Sequence, residues 1–274
     1  MMRLPPRLLW DLARIRITQK LFGTSRYPLA LRLDLAQLRS RSEATPPNGV
    51  NSSSGVSSRD AQALSQVRAS SAPVVWIGGD SPLQHPRIGH LAREIVNCGR
   101  TVFVEMDETL LRRRIHEFRP VSRLYLVLPL NGLENARDSR TQNSVNFRAT
   151  MEAIRTAKLS GFHICVETTI FPRSDRSEIQ KLAKFISTLD VDGWIQLRAR
   201  ASANDETSGE ALQYARNLIP SRYWRDFSAL LDLTCASGQP GFEKKCTADR
   251  VVEKVEKMSA REAPAASDEG LRAL

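Results

Sequence analysis

The stretch from Pro73 to Pro86, PVVWIGGDSPLQHP, holds the residues best placed to contact a ligand. Four apolar residues, Val74–Ile77, end at Gly78 and Gly79, and an acid, Asp80, follows at once. Glycines at the end of a strand let the backbone approach a ligand closely, because they carry no Cβ. Ligands of α/β proteins bind outside the carboxyl ends of the strands. The stretch therefore predicts a ligand-binding loop between a strand and a helix.

The cysteines and histidines give weak signals for a metal. Cys98 and Cys165 fall on apolar patterns that favour core positions, because a free cysteine behaves as a small hydrophobe. Cys235 and Cys246 are better ligand candidates, but two thiols are too few for a self-sufficient cluster site. The position of His85 before a proline is typical of a turn. His163 shares a strand face with Cys165, and this pair lacks the further ligands of a zinc site.

Several acids are predicted to gather at the carboxyl ends of the strands, where catalytic residues of barrel enzymes lie. They are Asp80, Asp107, Glu134, Asp138 and Glu167. General acid–base catalysis remains open, although solvated loop carboxylates are the commoner case. The chain has no phosphate-binding G-x-x-x-x-G-K-[ST] loop, no G-x-S-x-G elbow and no H-E-x-x-H motif.

The elements that position these residues alternate between strands and helices. Apolar runs starting near residues 29, 74, 101, 123, 162 and 194 are separated by helical patterns of ten or more residues. Such spacing requires parallel pairing through right-handed crossovers. The predicted fold is α/β: a partial (β/α)6 TIM-like barrel of parallel strands, with a basic N-terminal helix and a loosely structured C-terminal extension.

The domain boundaries follow composition. We assign residues 1–26 to a basic amphipathic helix and 27–199 to the partial barrel. Within the barrel, residues 41–58 are rich in Ser, Pro, Asn and Gly, which predicts a flexible loop. Residues 200–258 are a helical extension, and 259–274 are predicted to be a disordered tail.

Charge is concentrated at the N-terminal end. The net charge is +10, and the first 59 residues contain ten basic residues against three acids. A helix predicted over about residues 6–20 packs on the barrel or contacts an anionic membrane surface. Nucleic acid is disfavoured, because no aromatic residues are interleaved with the basic ones. No apolar run is long enough for a membrane span or a secretory signal, so a cytoplasmic location is expected.

With the order of the elements established, several motifs resemble those of radical S-adenosylmethionine (SAM) enzymes, from about residue 27 to residue 199. Gly78-Gly79-Asp80-Ser81-Pro82 is similar to the "GGEP" loop that follows the second strand of that family. Further similar stretches follow in the family's order at later strand ends: Glu105–Leu111, Leu128–Glu134 with Arg137-Asp138 and Asn146-Phe147, and Val166–Thr169. The resemblance implies SAM binding by the backbone of Gly78, Gly79 and Asp80, with Asn131 and Glu167 nearby.

The resemblance fails at the cluster motif. Family members hold a [4Fe–4S] cluster with three cysteines just after the first strand, because soft thiolates hold the irons. Here the three ligand places fall near Arg39, Glu43 and Pro46, and no cysteine precedes Cys98. The leading hypothesis is therefore a SAM- or small-molecule-binding pseudoenzyme without the cluster, accessory to an active radical SAM paralogue.

Two alternatives remain. The first is an active radical SAM iron–sulfur enzyme whose cluster ligands are atypical or supplied by a partner. The second is a basic module that binds a lipid or RNA surface through its N-terminal helix.

Overall fold

The computed structural model describes residues 4–22, 29–35, 52–78, 85–106, 108–133, 143–171, 174–198 and 207–236. Six strands lie within these ranges, as predicted. They are β1 (Ala30–Asp34), β2 (Val74–Gly78), β3 (Thr101–Glu105), β4 (Leu124–Pro129), β5 (His163–Ile170) and β6 (Gly193–Arg198).

The strands form one parallel sheet in the order β1-β2-β3-β4-β5-β6. Leu31 pairs with Val75 and Leu33 with Ile77, so β1 lies beside β2 as predicted. The sheet curls into a half-barrel, which confirms the predicted fold class. The carboxyl ends of all six strands meet at one edge, which we call the mouth; the opposite edge, where the strands begin, we call the base.

Eight α-helices are described in the same ranges. They are α1 (Pro6–Phe22), α2 (Ser52–Ala69), α3 (Ile88–Asn97), α4 (Glu108–Arg114), α5 (Asn143–Leu159), α6 (Arg176–Thr188), α7 (Thr207–Asn217) and α8 (Arg222–Ala236). A 3-10 turn, Ile115–Glu117, extends α4. After α3 and α5 the chain turns at Gly99 and Gly161, whose φ angles of 84° and 81° suit glycine.

One boundary of the sequence analysis was wrong. The helix expected from Arg59 begins at Ser52, so the last seven residues of the expected loop, 52–58, are helical. Serine and asparagine favour helix N-termini because their side-chain oxygens accept hydrogen bonds from the first backbone N–H groups. This capping signal, in Asn51-Ser52-Ser53-Ser54, was masked by the low hydrophobicity of the segment. The rest of the expected loop and the expected tail lie outside the described residues.

Helix α1 lies at the base of the half-barrel. Its buried side chains Leu8, Leu12 and Ile15, together with Leu4 just before the helix, join the main hydrophobic core. Asp11 is influenced by the charges of Arg100 and Arg123, which directly precede β3 and β4. Burial raises the pKa of Asp11, and these arginines oppose that rise. The helix therefore covers the core where the strands begin.

Helix α8 runs alongside β6 and covers its outer edge. The Ser228 hydroxyl accepts a hydrogen bond from Gln196 N at 2.9 Å and donates one to Gln196 O at 2.7 Å. Further along, Asp232 Oδ1 accepts from Arg198 N at 3.1 Å. These side chains take the place of a neighbouring strand, so the edge of β6 is protected from pairing with another chain.

Candidate functional site

A layer of aromatic rings crosses the concave face of the sheet. The register aligns Trp76 with Phe103, Phe103 with Tyr125, and Tyr125 with His163. Successive ring centroids are 5.5, 5.0 and 5.2 Å apart, and the ring planes differ by no more than 28°. Residues in register on parallel strands point to the same face. The four rings thus form a continuous floor beneath the mouth.

Two aromatic residues of α8 cover this floor. Phe227 stacks on Phe103 at 5.3 Å, and Trp224 meets Tyr125 edge-on at 6.1 Å. Trp224 fits because residue 193 is glycine: a Cβ there would lie 2.4 Å from the indole. Both α8 rings are fully buried. The lower part of the half-barrel is therefore filled by side chains, and a ligand has to bind nearer the mouth.

A buried charged pair lies between the aromatic floor and the mouth. Glu105, the last residue of β3, accepts a hydrogen bond from Trp76 Nε1 at 2.5 Å. The Arg32 Nη2 atom lies 3.6 Å from the same carboxylate oxygen, and the two side chains are only 5% and 18% exposed. Since Arg32 is on β1 and Glu105 on β3, the pair spans β2.

Gly78 makes room for the Glu105 carboxylate of this pair. A Cβ at this position would lie 2.6 Å from the Glu105 carboxylate. The sequence pattern predicts that this glycine admits a ligand, whereas its neighbour on this side is the protein's own carboxylate. A ligand would therefore meet the backbone of Gly78 at the very end of β2.

Asn131 and Glu167 come together at the other side of the mouth. Asn131 Oδ1 accepts a hydrogen bond from Thr169 N at 2.9 Å, and Leu130 N donates to Glu167 O at 2.8 Å. The Glu167 side chain is buried, and Asn131 is exposed. Gly78 is three strands away from β5, about 14 Å along the sheet.

Gly79 and Asp80 lie outside the described residues, as do Asp107, Glu134 and Asp138. The structure thus places three of the five residues predicted to bind the cofactor, two of them at one corner of the mouth.

The described thiols do not make up a cluster-binding set. Cys98 is exposed at the base, directly after α3, whereas Cys165 is fully buried in β5. Burial raises the pKa of the Cys165 thiol well above its ordinary range, which disfavours the thiolate that a metal needs. Among the described residues no group of three or more His, Cys, Asp or Glu side chains is arranged to hold a metal ion. Cys246 and the ligand places near Arg39, Glu43 and Pro46 lie outside the described residues.

His85 is buried against helix α2. Its Nδ1 atom accepts a hydrogen bond from Arg87 N at 3.3 Å, so its proton sits on Nε2, which faces Asp60 Oδ1 at 3.3 Å. The Arg114 guanidinium donates to the His85 carbonyl oxygen at 3.0 Å. His85 is therefore held in the turn before α3, in agreement with its expected role as a turn residue.

Acidification is expected to destabilise the protein through His85. Burial lowers the pKa of His85 below its ordinary value of 6.5, although the nearby Asp60 carboxylate opposes this shift. The unfolded chain therefore takes up the proton more readily, and stability present above pH 6.5 is lost as the pH falls below it.

This is tested by urea unfolding at several pH values. The free energy of unfolding of wild type should decrease more on acidification than that of His85→Gln. The exposed His90→Gln is the matched control and should retain the wild-type pH dependence. Equal pH dependence of His85→Gln and wild type would contradict the prediction.

Sequence reasoning missed the pairing of Arg32 with Glu105 and the aromatic cover from α8. A signal was present: Arg32 interrupts an apolar strand at a position that alternation assigns to one face together with Ala30. A charge in such a strand requires a partner, because burying it alone is costly. The identity of that partner depends on the strand order, which local pattern does not give.

Comparison with known proteins gives a family match over the middle of the chain. The family model of the Radical SAM superfamily matches residues 56–186, from within α2 to within α6. No curated protein matches the sequence.

Similar solved structures include SuiB of Streptococcus suis with S-adenosylmethionine bound, at 12% identity and a TM-score of 0.47. The alignment with SuiB covers 93% of this chain and 53% of SuiB, so the chain spans about half the length of that relative. TYW1 with a lysine–pyruvate adduct matches at 13% identity and a TM-score of 0.46, over 80% of this chain and 90% of TYW1. The family model matches the segment that builds the centre of this half-barrel, so residues 56–186 are recognised as a radical SAM domain.

Proposed function

We propose that this chain is a SAM-binding accessory protein of the radical SAM superfamily, without the cluster chemistry of the active enzymes. The observation that carries the proposal is the sequence after β1, where Arg39, Glu43 and Pro46 stand in the three ligand places. Arginine and proline offer no ligand for iron, and a single carboxylate does not replace three thiolates.

The proposed SAM site is the mouth of the half-barrel. The backbone of Gly78, Gly79 and Asp80 would take the amino group of SAM, with Asn131 and Glu167 on the far side. SAM carries an ammonium group and a sulfonium, and carboxylates near the mouth favour cations. The separation of about 14 Å between Gly78 and β5 suits an elongated ligand. SuiB, whose structure was solved with SAM bound, supports the choice of this ligand.

Calorimetric titration of the full chain with SAM tests the binding. We expect saturable 1:1 binding that Asn131→Ala weakens by roughly tenfold, as is typical for the loss of one or two hydrogen bonds to a ligand. Asn97→Ala removes an exposed asparagine side chain at the base, so it is the matched control and should bind SAM as wild type does. If the titration with SAM gives no heat of binding, the chain has no SAM site, and a scaffold that binds no SAM remains as the interpretation.

Anaerobic reconstitution with iron and sulfide tests whether the chain can form an iron–sulfur cluster. The proposal predicts no four-iron absorbance band and no reductive cleavage of SAM. A band that disappears in Cys235→Ser and Cys246→Ser would instead support an active enzyme with atypical ligands. A band that forms only when an active paralogue is added would support ligands supplied by the partner.

A further inference from the structure

Large apolar side chains are exposed mainly at the base of the half-barrel. Six such side chains are exposed in the described part of the chain, and five of them belong to segments at the base: Trp10, Ile17, Val121, Leu159 and Tyr223. The sixth, Phe171, follows β5 at the mouth. Exposed apolar side chains gathered on one side of a protein are typical of an interaction surface.

Three chain segments bring these residues to the base. Trp10 and Ile17 are on α1, which lies across the beginnings of the strands. Val121 lies three residues before β4, and Leu159 ends α5 four residues before β5. Tyr223 lies in the first turn of α8, beside the Trp224 that packs over Gly193 at the start of β6. We call these five residues the base surface.

The outer face of helix α1 combines apolar and basic side chains. Arg7, Trp10, Arg14 and Ile17 recur at intervals of three and four residues, so they lie on one side of the helix, away from the buried leucines. All four side chains are exposed; those of Trp10 and Ile17 are 72% and 58% exposed. A helix with apolar and basic residues on its free face binds in the interfacial region of a bilayer.

The charge around the base surface is predominantly basic. Arg119 is exposed in the segment that leads to β4, and Arg222, the first residue of α8, is exposed and lies 4.0 Å from Asp226. Two acids of the described residues lie in the connections that enter the strands at the base, Asp190 and Asp192. Lys158 lies 3.1 Å from Asp192 and 3.7 Å from Asp190, so one lysine faces both acids, and Asp190 is the more exposed of the two.

We propose that the base surface docks on a lipid bilayer that carries anionic headgroups. The Trp10 indole and the Ile17 side chain enter the boundary between headgroups and acyl chains, where tryptophan is favoured. Arg7 and Arg14 stay at the level of the phosphates, each contributing electrostatic attraction. None of the described helices combines the length and apolarity needed to cross a bilayer, so the contact is with its surface. The mouth then faces away from the membrane.

Tryptophan fluorescence gives a direct test in the full chain. Of the four tryptophans only Trp10 is exposed, because Trp76, Trp194 and Trp224 are at most 2% exposed. Vesicles of phosphatidylcholine with phosphatidylglycerol should shift the emission to the blue and protect it from an aqueous quencher. Vesicles of phosphatidylcholine alone should do so much less. About 1 M NaCl should release the protein, because the Debye length then falls to about 3 Å.

Substitutions at exposed positions test the surface without removing core contacts. The double variant Trp10→Ala/Ile17→Ala should reduce partitioning to the anionic vesicles in a sedimentation assay by roughly tenfold or more. Arg7→Gln/Arg14→Gln should reduce it to a similar extent. Phe171→Ala removes an exposed apolar side chain at the mouth, so it is the matched control and should bind as wild type does.

Three results would overturn the proposal. The first is no binding to the anionic vesicles, and the second is equal binding by wild type and the two double variants. The third is a Trp10 emission shift that appears without vesicles as the protein concentration rises, because the surface would then hold a second copy of the chain. The proposal is independent of SAM, and loss of SAM binding would leave these results unchanged.

Discussion

Replacing Glu105 by leucine is expected to destabilise the protein by about 3–5 kcal/mol, as for breaking a buried ion pair. The carboxylate accepts a hydrogen bond from Trp76 and lies 3.6 Å from the Arg32 guanidinium, in surroundings where both charged groups are largely buried. Removing it leaves the buried positive charge without this carboxylate. The free energy of unfolding, measured by urea denaturation, gives the effect directly.

An exposed ion pair provides the control. Arg112 and Glu152 are closer, at 2.7 Å, but both side chains are 58% exposed, so Glu152→Leu should cost less than about 1 kcal/mol. Adding Arg32→Leu to Glu105→Leu should restore much of the loss, because two apolar groups replace the pair. A Glu105→Leu variant as stable as Glu152→Leu would contradict the assigned pairing.

Replacing Trp224 by alanine is expected to cost about 3–5 kcal/mol, the usual range for truncating a buried tryptophan. The indole is fully buried over Gly193 and meets Phe103, Tyr125 and Phe227 at their edges. Its loss leaves a cavity in the concave face and loosens α8 from the edge of β6. We therefore also expect more oligomer in size-exclusion chromatography, because an uncovered strand edge pairs with other chains.

The adjacent Tyr223 separates a packing effect from a general effect on the helix. Tyr223→Ala truncates a neighbouring aromatic residue whose side chain is 49% exposed, and its cost should stay within about 0.5 kcal/mol. Equal losses of unfolding free energy for the two variants would show that α8 does not depend on the Trp224 contact.

The parallel sheet was predictable because each strand is a short apolar run followed by a helix. Strands that are buried on both faces lack alternation, and the apolar runs in β2, β3 and β4 show this directly. The turns at Gly99 and Gly161 were also predictable from the sequence, because a glycine follows the last residues of each helical pattern. Local pattern therefore gave the element order, and the crossover rule gave the pairing.

The interior of the half-barrel was not predictable from the same patterns. The contact of Arg32 with Glu105 joins residues more than seventy positions apart, and Gly78 leaves the space that the Glu105 carboxylate occupies. The role of Trp224 depends on the position of α8. The helical pattern of α8 does not indicate which face of the sheet the helix covers. Side chains that meet only after the sheet has curled leave no periodic signal.

The packing of α8 against Phe103 and Tyr125 limits how far the chain can be shortened. The family match ends at residue 186, before β6 and α8 begin. A fragment cut at the limits of that match would lose β1 and β6 and expose the aromatic floor to water. The segment that matches the family model is thus shorter than the segment that builds the complete half-barrel with its cover from α8. Substitutions in β3 and β4 are also constrained by a helix that lies about a hundred residues downstream.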